Sequence, residues 1–148
     1  MHVFLAHNSE WRAKIRKEVD TAIVKHRTGP NQSRIEVLDS LSVDTWESEF
    51  PLIDLCLREG IRIAMPGAAF RKNSSDKDTP IGSTGMVIPK GSYATYIFDD
   101  AHQNPGLYPD PDTWDPSRFL EGRSGEKKTH HGYLGWGAGR HPCSKLTN

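Results

Sequence analysis

The residues best suited to chemistry lie together near the end of the 148-residue chain, in Tyr133-Leu134-Gly135-Trp136-Gly137-Ala138-Gly139-Arg140-His141-Pro142-Cys143. Three glycines within five positions, Gly135, Gly137 and Gly139, let backbone turn tightly and approach a flat object closely. A cysteine at the end of such a loop can present a thiolate to a metal, with Arg140 and His141 placed to bind anions beside it. One cysteine cannot hold a bare metal ion. A porphyrin supplies four nitrogens itself and needs only an axial ligand, and a cysteine thiolate is one of the established choices.

Other chemistry-bearing residues are sparser. Glu59 and Arg62 stand three apart in a segment that reads as helix, so carboxylate and guanidinium share one face. Alone, such a pair is more often a solvated ion pair. His130 and His131, with His141 and Cys143, raise the question of zinc, but adjacent histidines cannot easily ligate one ion together. The second cysteine, Cys56, sits in the apolar run Leu52-Ile53-Asp54-Leu55-Cys56-Leu57 and reads as a core thiol. Two cysteines in such different settings make no disulfide framework.

These residues must be positioned by a mainly helical chain. Lys plus Arg and Asp plus Glu number 19 each, for a formal net charge of zero, which argues against a nucleic-acid binder. Ten prolines and thirteen glycines imply many turns. Trp11, Ile15, Val19 and Ile23 recur every four residues, which predicts a helix over 9–26, capped by Asn8 or Ser9 and stopped by Gly29-Pro30. A weaker helix is expected from Ile35 to Leu41. Pro51 suits the first turn of a third, running through Ile63 and ended by Pro66-Gly67. Residues 68–72 read as extended and 73–80 as a polar loop. Met86-Val87-Ile88 and Tyr93-Ala94-Thr95-Tyr96-Ile97 flank Pro89-Lys90-Gly91, so a β-hairpin is expected over about 86–97. Residues 121–132 are glycine-rich and charged and read as a mobile surface loop, whereas residues 102–119 are rich in proline and aromatics with little periodicity. The latter read as an irregular but packed stretch, since Tyr108, Trp114 and Phe119 are costly to expose. The N-terminal apolar run is too short for a signal peptide or a membrane span.

The glycine loop is similar to the haem-binding loop of cytochromes P-450, aromatic-Gly-x-Gly-x-His/Arg-x-Cys. Trp136 stands where that family usually has Phe, and Gly137, Gly139, His141 and Cys143 fall on matching positions. Glu59-Gly60-Ile61-Arg62 resembles the family's Glu-x-x-Arg, and Pro116-Ser117-Arg118-Phe119 its Pro-x-Arg-Phe, in the right order. The resemblance implies haem b (iron protoporphyrin IX) as cofactor, Cys143 as the axial iron ligand, His141 facing a propionate and Trp136 packing near the sulfur. It also implies a buried triad of Glu59, Arg62 and Arg118 that locks the loop beneath the haem. Arg71 falls where the family often has a propionate-binding arginine.

The fold so implied is mainly α with small β-hairpins and long irregular loops, an α+β C-terminal fragment of the P-450 fold. All of 1–148 would be one partial domain: helix end and following helix 1–29, Glu-x-x-Arg helix about 51–63, hairpin about 86–97, meander about 102–132 and haem-thiolate loop 133–143. The activity implied is monooxygenation, one oxygen atom of O2 entering a small lipophilic substrate. An NADPH-dependent reductase would be the redox partner, and the endoplasmic reticulum membrane the location of a complete parent. The wording around Phe70-Arg71-Lys72-Asn73 and Gly135-Trp136-Gly137 looks most like microsomal members, fungal or sterol-demethylase-like. The match covers about the last third of a family member. The distal helix with its acid–alcohol pair, the substrate-recognition regions and the anchor would precede residue 1, so no catalytic residue is expected within the chain. Lys145 stands where the family usually has Gly, and the helix after the cysteine is missing. The alternative expectation is therefore a non-catalytic truncated remnant.

Overall fold

The computed structural model describes residues 2–64 and 67–137. It divides into two compact units, one of residues 1–62 with 113–124 and one of residues 63–112 with 125–148.

The first unit is helical. After a short α1 (His2–His7), the long α2 spans Ser9–His26. Asn8 caps it, accepting the Trp11 N–H at 3.0 Å. Trp11 and Ile23 are buried and Ile15 and Val19 half-buried, so the four-residue spacing does mark the packed face. Helix α3 (Arg34–Asp39) begins with a full capping box: the Ser33 hydroxyl accepts the Glu36 N–H and the Glu36 carboxylate accepts the Ser33 N–H. A further helix, α4 (Val43–Glu49), was not expected from periodicity. Its signal is local, Ser42 accepting from the Thr45 N–H, and Trp46 then stacks on Phe50 at 4.4 Å.

Helix α5 runs from Pro51 to Ala64 and buries Leu55, Cys56, Glu59, Gly60 and Arg62. Phe50, just before it, has no side-chain acceptor with which to cap it. Glu18 of α2 supplies one, its carboxylate accepting the Leu52 N–H at 2.8 Å and the Ile53 N–H at 3.1 Å. A carboxylate is well placed there, because the first N–H groups of a helix lack partners and carry partial positive charge. Residues 113–124 complete the unit. Trp114 stacks on Phe4 at 5.8 Å and meets Trp11 edge-on at 6.3 Å. A 3₁₀ turn, Pro116–Phe119, is capped by Asp115 and buries Phe119 beneath the Arg58 guanidinium, 4.8 Å from the ring centroid.

The second unit holds two small antiparallel sheets. Strand β1 (Ala68–Lys72) pairs with β4 (Tyr93–Ile97) in the register Ala68↔Ile97 to Lys72↔Tyr93, and β2 (Thr79–Pro80) pairs with β3 (Val87–Ile88). The hairpin expected over about 86–97 is therefore replaced. Its two arms lie in different sheets. Extended residues 68–72 give β4 five partners, whereas β3 has only two residues before Pro89, which cannot donate to a ladder. Asn73 seals the exchange: its N–H donates to the Ser92 carbonyl, its carbonyl accepts the Gly91 N–H, and its side-chain amide donates to the Lys77, Ile88 and Pro89 carbonyls. Phe70, Tyr93 and Ile97 share one face of the β1–β4 sheet and are 61%, 65% and 49% exposed. A one-turn helix α6 (Asp99–His102) follows, then a packed irregular run with Tyr108 buried, and a 3₁₀ turn Gly125–Lys128. No helix among the described residues is long and apolar enough to cross a membrane.

Candidate functional site

In the first unit the three charged residues singled out in the sequence come together around one carboxylate. Arg62 donates from Nε to Glu59 Oε2 at 2.8 Å and from Nη2 to Oε1 at 2.9 Å. Arg118 donates from Nε to Oε1 at 2.9 Å and from Nη2 to the Thr113 carbonyl at 2.8 Å. The Asp115 N–H adds a further bond to Oε1 at 3.0 Å. Glu59 and Arg62 are fully buried and Arg118 is 6% exposed. Helix geometry sets the first pairing. The second depends on the Asp115-capped turn, which swings Arg118 back onto α5 from 59 residues away.

Such a cluster is costly to bury and tolerable only when its charges are paired and hydrogen-bonded, so it fixes geometry more than it adds stability. Asp115 extends it outward. Burial alone would raise the Asp115 carboxyl. Hydrogen bonds from the Ser117 hydroxyl and N–H, together with the Arg123 guanidinium, overcome that and hold it below its ordinary value.

The second unit contains the approach to the glycine loop. Leu134 and Gly135 are buried. The Gly137 N–H closes a turn onto the Leu134 carbonyl at 2.9 Å, with Gly137 at φ +79°, a conformation that glycine adopts without strain. Trp136, at the corner, leaves 39% of its surface exposed. Gly139, His141 and Cys143 lie outside the described residues. Arg71 stands on β1 opposite Ala94, exposed, with Nη1 donating to the Phe70 carbonyl at 2.9 Å. Among the described residues no group of three or more His, Cys, Asp or Glu is placed to hold a metal ion, and the His130 and His131 rings lie 3.7 Å apart.

These features fit a haem edge. Gly135 and Gly137 carry no side chain to hold off a flat ring, Trp136 offers an exposed indole, and Arg71 offers an exposed cation suited to a carboxylate.

Several positioning residues gave no signal in the sequence. The fully buried His102 accepts the Leu134 N–H at Nε2, 2.9 Å away, and stacks on Tyr133 at 5.4 Å. Tyr108, expected only as packing, donates its hydroxyl to the Gly132 carbonyl at 2.8 Å. Glu18 and the Asp115 N–H were likewise invisible, because their partners lie 34 and 56 residues away.

A mainly helical chain with small antiparallel sheets and a buried carboxylate between two guanidiniums matches a fragment of the cytochrome P450 fold. The chain belongs to the cytochrome P450 family, whose model matches residues 1–144. It is 43% identical over 139 residues to the cytochrome P450 monooxygenase AacuE of Aspergillus aculeatus, covering 94% of this chain and 28% of that protein. It is 33% identical over 124 residues to the fusicoccin H C-9 hydroxylase of Phomopsis amygdali, covering 76% and 24%. Among solved structures it resembles the retinoic acid bound cyanobacterial CYP120A1, with TM-score 0.69 and 27% identity over 93% of this chain and 28% of that one. The chain thus spans about a quarter of the length of these relatives.

Proposed function

We propose that this chain is the haem-iron-binding region of a monooxygenase that inserts one oxygen atom of O2 into a small lipophilic substrate. The observation that carries the reading is the Glu59-Arg62-Arg118 network, built from two separate motifs and fully hydrogen-bonded in the interior. A buried network of this kind has little use except to hold a neighbouring geometry fixed. Its two units are read as parts of one P450 domain, which the unbroken match over residues 1–144 supports.

In this reading the cofactor would be haem b, and Cys143 would hold its iron as a thiolate. His141 and Arg71 neutralise the propionates, Gly137 and Gly139 let the backbone reach the ring, and Trp136 packs beside the sulfur. Bound haem supplies the one-electron and O2 chemistry. The protein's part is to keep Cys143 as thiolate, to seat the propionates and to exclude water from the sulfur side. Electrons then come from an NADPH-dependent reductase, and a complete parent works at the endoplasmic reticulum membrane. The hydroxylase name carried by one relative is consistent with a hydroxylated product.

The test is spectroscopic. Purified chain given haemin and reduced under CO should show a thiolate-type band that Cys143→Ser abolishes. The same band persisting in Cys143→Ser would move the ligand elsewhere and refute the assignment.

A further inference from the structure

We propose that His102 and Tyr108 together are positioning residues for the turn that carries the chain into Cys143. The inference rests on the reading of Cys143 as the haem ligand.

Both side chains come from one short stretch and are 0% and 1% exposed. Each makes a hydrogen bond to main chain. Tyr108 donates to the Gly132 carbonyl at 2.8 Å, and His102 Nε2 accepts from the Leu134 N–H at 2.9 Å. A carbonyl and an N–H two residues apart are the groups that a neighbouring strand would engage on one edge of an extended segment. Here two side chains take that strand's place. His102 must be the neutral tautomer with its proton on Nδ1, since Nε2 accepts.

The segment is also closely packed at Gly132. A Cβ on Gly132 would meet the Glu126 carbonyl oxygen at 2.9 Å and its Cα at 3.0 Å. The held residue Leu134 is also the first residue of the turn, because its carbonyl accepts the Gly137 N–H. Fixing Leu134 therefore fixes the origin of the glycine loop, nine residues before Cys143. A ligand loop is only as well placed as the residues that support it, and loss of such support loosens ligation without touching the ligand. In this proposal both residues act through the backbone.

Amide exchange and the ferrous–CO spectrum of the whole chain with haemin test this together. His102→Phe keeps a flat ring against Tyr133 but offers no acceptor, whereas His102→Gln places an acceptor near the position of Nε2. We expect the Leu134 amide to exchange at least about tenfold faster in His102→Phe, with β1 and β4 amides unchanged, and to recover in His102→Gln. We also expect His102→Phe to lose most of the thiolate-type band and His102→Gln to keep it. Tyr108→Phe removes one hydroxyl and carries the test if His102→Phe does not fold; part of its thiolate band should convert to the non-thiolate form. A full thiolate band in either phenylalanine variant, or unchanged Leu134 exchange in His102→Phe, overturns the clamp alone. Absence of a thiolate band in the unmutated chain overturns instead the reading of Cys143 on which the proposal stands.

Discussion

Glu59 Oε1 accepts from Arg62, Arg118 and the Asp115 N–H at once, and both guanidiniums lie in the first unit's interior. Removing the carboxylate leaves two buried guanidiniums without their counter-charge. Taking one partner from a buried ionic cluster costs about 3–5 kcal/mol. Glu59→Ala should therefore lower the denaturant midpoint of the chain by that equivalent, and a loss under about 1 kcal/mol would mean that the cluster is not held as described. Cys56 makes the opposite kind of residue, reactive in principle and silenced by its setting. Burial, with the Glu18 carboxylate adding to it, pushes its thiol up to about 12 from an ordinary value of 9.0. The thiol stays neutral while the chain is folded at neutral pH, so alkylating reagents should spare it until unfolding. The linkage has a definite sign. Below pH 9 folded and unfolded chains both keep the proton, whereas between about 9 and 12 only the unfolded chain releases it, so stability falls as pH rises through that window. Cys56→Val should make that alkaline slope shallower in urea titrations; an unchanged slope would assign it to other groups.

At the scale of elements, α5 presents the scaffold residues, and its first turn is held by a residue of another helix. Glu18 bonds the Leu52 and Ile53 N–H groups where Phe50 and Pro51 can provide no cap. Loss of a helix cap costs about 1 kcal/mol, so Glu18→Ala should destabilise the chain by that amount, with Glu18→Gln, which keeps one acceptor, between the two. Equal stability of all three proteins in equilibrium unfolding would show that water replaces Glu18 at no cost. The β1–β4 pairing does a similar job in the second unit. It sets Arg71 on a strand rather than in a loop, opposite Ala94, and leaves the Phe70, Tyr93 and Ile97 face unfilled.

For the molecule as a whole, the two units should differ in how they respond to acid. Three carboxyl groups held below their ordinary values, Glu36, Glu49 and Asp115, all belong to the first unit. Ser33 lowers Glu36 through its N–H and hydroxyl, Lys25 and His26 lower Glu49, and Ser117 and Arg123 overcome the burial of Asp115. A group with a depressed folded pKa stabilises above its unfolded pKa, and that contribution is lost as pH falls through the folded value. As pH falls below the ordinary carboxyl range, amide protection in α3 and α5 should therefore fall earlier than in β1 and β4. Asp115→Asn should shift α5 toward its low-pH behaviour already at neutral pH. Parallel loss of protection in both units would indicate one cooperative acid transition and contradict this ordering.

What could be read from the sequence was local. The stripe of Trp11 and Ile23, the Asn8 cap and Pro51 locate α2 and α5, because periodicity and capping act within a few residues. The spacing of Glu59 and Arg62 puts them on one helix face, and the two motifs with the glycine loop indicate the family. The pairing of β4 was misjudged, because Pro89-Lys90-Gly91 looks like a hairpin turn while the competing partner lies 25 residues upstream, where only tertiary hydrogen bonding can choose it. Arg118 reaching Glu59 was indicated only by the resemblance of its motif to the family's, whereas Glu18 capping α5, and His102 and Tyr108 holding the glycine turn, were decided by the tertiary structure alone. Each of these bonds joins residues at least 24 apart, and no local period carries information over such a distance.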